Sequence, residues 1–299
     1  MLDRRSLLAS LAALSFSAWA DERSSRIEGG SFESAALKGP LNYSVYLPAS
    51  YAGSEQRLPV VYLLHGRGDS MSDWWRCKAL LDELIASGRI PPLIAVMPDA
   101  SWSRRGGYYV DSAQERGYAI ETALTTELLP HIDARYRTLA TRDARIVAGY
   151  SMGGYGAMRY ALAHPLLFSA ALVMSPAVYT PLPPRGSSVR EFGGFGRGKE
   201  LFVDEIYRAK NYPALLDAFV ATGLRSRFFI LSGDDEYRNP DPAEAENDID
   251  LEAHKLYKRL ARVNKSIQAE LRIVDGGHDW AVWLPGLREG LLHLLGPAR

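Results

Sequence analysis

Apolar residues along this chain come in short bursts that end in Gly, Pro or Asp, and each burst reads as a strand. They are LNYSVYLP (41–48), LPVVYLLHG (58–66), PLIAVMPD (92–99), ARIVAGY (144–150), FSAALVMSP (168–176), SRFFILSG (226–233) and AELRIVDGG (269–277). Between them the apolar spacing changes to a helical period over 75–88, 117–136, 152–164, 248–263 and 284–295. Strands that are apolar on both faces and alternate with helices predict a mostly parallel sheet covered on both sides, a three-layer α/β sandwich. Reactive groups in such sheets gather beyond the carboxyl ends of the strands.

Three stretches depart from this rhythm. Residues 21–36 are polar and predict a loose start. Residues 178–222, with PLPPRGSSVREFGGFGRGKE, follow no strand-helix repeat, and predict an insertion over the active face, a lid or substrate wall within one domain spanning 21–299. At the start, Arg4 and Arg5 precede the apolar run LLASLAALSFSAWA, and Ala18-Trp19-Ala20 has the small-x-small form of a signal-peptidase site. Residues 1–20 therefore read as an export signal of the general secretory type. The paired arginines also fit the twin-arginine route, although Leu7 stands where that signal usually carries phenylalanine. The run is shorter than the ~20 apolar residues needed to span a bilayer, so no stable membrane insertion is expected. The predicted destination is the periplasm or the medium.

Composition narrows the function classes. Thirty-five basic residues balance thirty-five acidic ones, so no net field favours nucleic acid or an anionic surface. Cys77 is the only cysteine, which excludes an intramolecular disulfide. One cysteine with scattered histidines gives no zinc-ligand spacing, and no structural metal is expected. At 299 residues, 47% of them hydrophobic, the chain is long enough for a large core.

The candidate chemistry sits in IVAGYSMGG. Gly149-Tyr150-Ser151-Met152-Gly153 matches G-x-S-x-G between a predicted strand and a predicted helix, the context this motif requires. The sharp turn lifts the hydroxyl into the open and places it at a helix N-terminus, where the Met152 amide meets developing negative charge. A serine needs a base. His278 follows the last predicted strand, whereas His131, His164, His254 and His293 fall within or at the ends of helices. An acid should hold the imidazole and follow an intervening strand. FFILSGDDEY offers Asp234, Asp235 and Glu236. A second oxyanion donor is expected after VVYLLHG, where His65-Gly66-Arg67 would present the Arg67 amide, with His65 bracing the loop. The string RGDS (67–70) in that loop reads as coincidental.

With these residues assembled, the chain resembles the esterase D-type (putative esterase) family of α/β-hydrolases. That family includes feruloyl and acetyl-xylan esterases, S-formylglutathione hydrolases, enterochelin-type esterases and mycolyltransferases. The resemblance covers about residues 38–296 and rests on YLLHGRGDSMSDW, YYVDS (108–112), GYSMGGYGAMRYAL and GGHDWAVWLPGL in that order. It implies the α/β-hydrolase fold and an acyl-enzyme mechanism on Ser151, His278 and an acid, with the Met152 and Arg67 amides as oxyanion hole. A glycine followed three residues later by the acid is the usual spacing of this turn in α/β-hydrolases, which selects Glu236. Most relatives carry Asp there, so Asp235 stays the alternative and Asp234 a lesser one. The resemblance also implies that aromatics near Tyr109 and Trp280 border the substrate, and Asp111 is expected to brace the pocket. Trp74, Trp75, Trp102, Tyr108 and Trp283 fall on the same segments, where flat rings suit a sugar or phenol by stacking.

The expected activity is a cofactor-free serine carboxylesterase acting on a small-molecule or carbohydrate-linked ester. Two alternatives stand beside it: an acyltransferase of the mycolyltransferase type with the same residues, and a carbohydrate- or siderophore-binding protein on a hydrolase fold with catalysis lost.

Overall fold

The structure is a computed structural model that describes residues 24–100, 107–238 and 241–297. The expected export signal and Trp102 lie outside the described residues. Ten strands follow in chain order: β1 (Arg26–Ser34), β2 (Gly39–Leu47), β3 (Val60–Leu64), β4 (Ile94–Pro98), β5 (Ala113–Gln114), β6 (Arg145–Tyr150), β7 (Ala170–Met174), β8 (Arg197–Gly198), β9 (Ser226–Gly233) and β10 (Ile267–Val274). Eight form one sheet in the order β1-β2-β4-β3-β6-β7-β9-β10, and β5 pairs with β8 separately. From β4 to β10 all neighbours are parallel, while β2 runs antiparallel to both β1 and β4.

Parallel neighbours need a crossover, and helices supply it. They are α1 (Lys78–Ala86), α2 (Leu129–Arg135), α3 (Met152–Ala163), α4 (Asp204–Lys210), α5 (Tyr212–Ala221), α6 (Ile249–Ala261) and α7 (Trp280–Leu295). Strands β3, β6 and β7 are buried along their whole length, which explains their unbroken apolar runs. Side chains alternate across the sheet. Val60, Tyr62 and Leu64 join one core with residues of α2, α3 and α6. Val61 and Leu63 join a second core with residues of α1 and α7. The three-layer sandwich follows from these two cores.

The start of the described chain differs from the expectation. Arg26–Ser34 is not loose but pairs through nine residues with β2 as the sheet's edge strand. An edge strand can be held by its backbone while its polar side chains stay half exposed, so RIEGGSFES carries little hydrophobic signal. Residues 178–222 also contain more regular structure than expected, since α4 and α5 lie there.

Those helices hold the segment that follows β7. Tyr207 in α4 and Asn211 both donate to the Tyr179 carbonyl at 2.8 Å. The Thr180 hydroxyl donates to Tyr212 in α5 at 3.0 Å, and the Thr180 amide donates to Glu252 in α6 at 3.0 Å. The Glu252 side chain is 0% exposed. Its other oxygen has no hydrogen-bond partner. Burial pushes its carboxyl up to about 7, against the opposing effects of the Thr180 amide and Lys255.

Two expectations follow. A β-carbon at position 153 would sit 2.0 Å from the Leu64 carbonyl oxygen, so Gly153→Ala is expected to cost about 3 kcal/mol, the upper end for overpacking, read by urea denaturation. For Glu252, the native carboxyl keeps its proton to about pH 7, while an unfolded one releases it near 4.5. Its stabilising contribution is therefore complete below about 4.5 and lost as pH rises through 7. Glu252→Gln is expected to raise the melting temperature by roughly 3–6 °C at pH 8, a gain that shrinks toward pH 5.

Candidate active site

Ser151 sits between β6 and α3 with φ 55° and ψ −119°. A non-glycine residue in that region is strained and must be held by its surroundings. Its amide donates to the Met174 carbonyl at 2.9 Å, and its carbonyl accepts from Ala177 at 3.2 Å. Close packing fixes the rest of the turn. A β-carbon at Gly149 would lie 2.2 Å from the Gly153 carbonyl oxygen, so both glycines are required by contact with backbone.

His278 lies on the loop between β10 and α7. Its Nε2 is 2.9 Å from Ser151 Oγ, and its Nδ1 is 2.5 Å from Glu236 Oε2. Glu236 follows β9 and is 3% exposed. Its Oε1 accepts from the Ser232 hydroxyl and the Gly233 amide, both at 3.1 Å. Burial by itself would raise this carboxyl. The bond to His278, the histidine's charge, the Ser175 hydroxyl and the Gly233 amide outweigh it and hold the pKa below the ordinary value.

The other two carboxylates of that turn face elsewhere. The Asp235 side chain is 69% exposed and pairs with Arg238 at 3.2 Å. Asp234 accepts from the Gly276 amide at 3.1 Å, which ties the two strand-end loops together.

Opposite the serine, His65 is buried and braces its loop from three directions. Its Nδ1 is 2.8 Å from the Gly66 carbonyl, its Nε2 accepts from the Ala100 amide at 3.0 Å, and its carbonyl accepts from the Tyr109 hydroxyl at 2.9 Å. A β-carbon at Gly66 would lie 2.6 Å from the Tyr150 ring, so the loop lies flat against the serine turn. Met152 opens α3, and its amide is one of the first four that have no acceptor inside a helix.

Ser151, His278 and Arg67 stand where two clefts meet. The first, about 410 Å³, is walled by Tyr108, Tyr179, Ser187, Ser188, Tyr237 and Asn247 among others. The second, about 420 Å³, includes Asp69, Asp73, Arg76, Asp279, Trp280 and Trp283. Arg76 lies over the Trp280 ring, 4.5 Å from its centroid. Trp283 meets His278 edge-on at 5.0 Å and donates to Ser175 at 2.9 Å. Two wider clefts of about 640 Å³ lie elsewhere, and neither is lined by Ser151 or His278.

Two expected substrate residues are corrected. Tyr109 is 0% exposed and serves as the brace on His65. Tyr108 and Tyr109 both have positive φ, and in that turn Tyr108 lines the cleft while Tyr109 enters the core. Asp111 lines neither cleft; it accepts from the Thr122 amide at 2.9 Å and hydroxyl at 2.6 Å, fixing the start of the helical run before α2. Trp280 does line the second cleft. Sequence reasoning missed Tyr179, Tyr237 and the Ser187-Ser188 pair. Tyr237 carried a signal, since it directly follows Glu236. The serines lie in a stretch with no period to read.

Comparison with known proteins places these features in a family. An esterase of Mycobacterium tuberculosis is 30% identical over 263 residues, covering 83% of this chain and 54% of its own length. The chain thus spans about half the length of that curated relative. A ferulic acid esterase of solved structure superposes with TM-score 0.72 at 27% identity, covering 91% of this chain and 98% of its own. An S-formylglutathione hydrolase from Agrobacterium tumefaciens shares the fold at TM-score 0.67 and 20% identity, covering 92% and 97%. The sheet order, the two-sided helix cover and these neighbours define an α/β-hydrolase fold. The family model described as putative esterase matches residues 34–294, and the chain belongs to that family.

Proposed function

We propose that this chain is an exported serine carboxylesterase. The observation that carries the reading is the continuous relay Ser151–His278–Glu236, at 2.9 and 2.5 Å, built from the ends of three separate strands. In the Michaelis complex His278 donates Nδ1–H to Glu236, which leaves the Nε2 lone pair for the serine proton. Ser151 Oγ attacks the ester carbonyl as that proton passes to Nε2. The carbonyl oxygen becomes an oxyanion held by the Met152 and Arg67 amides. The tetrahedral intermediate collapses, the alkoxide takes the proton from His278 and leaves, and an acyl group remains on Ser151. Water, deprotonated by the same nitrogen, then attacks the acyl carbon, and as the Oγ–acyl bond breaks the proton passes from Nε2 back to Ser151 Oγ and the acid leaves.

Glu236 fits the supporting role because its environment favours the charged form, which stabilises the imidazolium of each transition state. Asp235 points away from the imidazole. The whole cycle uses side chains and backbone amides of the chain itself. Export rests on the arginine pair, the apolar run and Ala18-Trp19-Ala20. Among the described residues no helix is long and apolar enough to cross a membrane.

Fluorophosphonate labelling and nitrophenyl-ester hydrolysis test the chemistry. Ser151→Ala is expected to abolish labelling and to lower kcat by about 10⁴-fold or more; unchanged hydrolysis would refute the assignment. Glu236→Gln should cost about 10⁴ in kcat, whereas Asp235→Asn should leave it within about twofold of wild type; the reverse order would move the acid to Asp235. Product partitioning toward an added alcohol in preference to water would recast the enzyme as an acyltransferase. Mass spectrometry of protein recovered from outside the cytoplasm is expected to find Asp21 as the first residue.

A further inference from the structure

The first cleft has an uneven charge inventory. Among the described residues its lining contains no carboxylate, and Glu236, which meets His278 Nδ1, is buried. Tyr108 is pushed up to about 12 by burial, and Tyr179 is raised by the same cause, so both stay neutral. Ser187, Ser188, Asn247 and Tyr237 add neutral hydroxyl and amide groups. Among the described residues, Arg67 is the only Lys, Arg, Asp or Glu side chain on this lining.

Among the described residues the Arg67 guanidinium has no ion-pair or hydrogen-bond partner. Its nearest recorded partner is the Phe192 ring, 6.0 Å from Cζ to centroid. Asp69, two residues away, accepts from the Tyr150 hydroxyl at 2.8 Å and forms no ion pair with Arg67. Arg76 on the second cleft differs, because it stacks on Trp280 and pairs with Asp73 at 3.5 Å. Arg67 is therefore an exposed cation on the lining that also holds Ser151, with no ion pair among the described residues, and the described lining of the first cleft offers it no counterion.

A substrate seated in this cleft strips water from that side of the guanidinium. A neutral occupant leaves the donors unpaired, at a cost. An anionic group pairs with them, two parallel N–H donors to two oxygens, the geometry for which arginine is suited. The difference between those two outcomes is selectivity. We propose that the Arg67 side chain selects esters that carry a carboxylate in the first cleft, within one side-chain length of the scissile carbonyl. This rests on the esterase reading and adds to the role of the Arg67 amide a separate role for its side chain.

The test compares matched ester pairs on the purified protein. In one pair the charge is on the acyl side: para-nitrophenyl hemiglutarate against the ester in which an isopropyl group replaces the carboxylate. In the other it is on the alcohol side: para-acetoxybenzoate against para-isopropylphenyl acetate. The readout is the ratio of kcat/KM, charged over neutral, in wild type, Arg67→Gln and Arg67→Lys, because comparison across variants cancels the intrinsic reactivity of each ester. Arg67→Gln is expected to lower the ratio by about 5- to 10-fold for one pair, with a smaller loss in Arg67→Lys. The wild-type ratio should also fall as salt is raised. A ratio unchanged by Arg67→Gln in both pairs, including the case where both members slow equally, would overturn the proposal and leave the esterase reading standing. Failure of the wild type to hydrolyse any of the four would remove the esterase reading and this proposal with it.

Discussion

The contact on which the site depends is the one between the first turn of α3 and the end of β3. With no side chain at Gly153, the helix start comes against the Leu64 and His65 carbonyls, at distances no β-carbon could occupy. That approach places the serine turn beside the His65-Gly66-Arg67 loop, so Ser151 and the loop are brought together by backbone packing. Ser151 in the same turn has positive φ, and the bonds to Met174 and Ala177 hold it there. Strain of this kind persists only where the surroundings over-determine it. Two cores, one on each face of the sheet, provide that determination.

Two buried carboxylates show how the same burial leads to opposite outcomes. Glu236 is surrounded by the Gly233 amide, the Ser232 hydroxyl and His278, and its carboxyl is held low. Glu252 is buried as deeply, yet one of its oxygens has no partner, and its carboxyl rises to about 7. The difference lies in donors, since desolvation penalises both. At Glu236 the donors come from the strand end and from His278, and they favour the charged form of the carboxyl. At Glu252 the carboxyl pins a wall of the cleft through one amide, a task that needs an acceptor and no full charge.

The two clefts that meet at Ser151 differ in polarity. One is walled by tyrosines, serines and an asparagine, the other by three aspartates, Arg76 and two tryptophans, and Arg67 lines both. In the second cleft Asp69 accepts from Tyr150, Asp73 pairs with Arg76 and accepts from the Ser70 amide, and Asp279 accepts from the Ala281 amide at the start of α7. A wall whose charges already have partners holds its shape and reads a ligand through surface and ring stacking. Arg67, the group that both clefts share, has no ion pair or hydrogen bond among the described residues, so the contrast in charge between the clefts lies in their carboxylates.

What the sequence revealed, and what it hid, follows the same division. The buried strands and the serine turn were legible because burial on both faces and backbone crowding leave few residue types to choose from: aliphatic runs, then glycines at 149 and 153. His278 was legible by position at a strand end. The acid was legible only to within three residues, because the turn after β9 exposes Asp234 and Asp235 and buries Glu236, and which carboxylate turns inward depends on where the Gly233 amide points. β1 was invisible, since an edge strand is held by backbone bonds that any sequence can make. Tyr108 and Tyr109 were indistinguishable as neighbours, although a turn with positive φ at both sends one ring to the cleft and the other to the core. The walls were least legible of all. They come from loops pinned by distant helices, such as Tyr179 held through Tyr207 and Asn211, and contacts across so many intervening residues leave no period in the chain. Residues that a parallel sheet places on strand ends can therefore be read from one sequence, and the loop-built walls around them require the folded molecule.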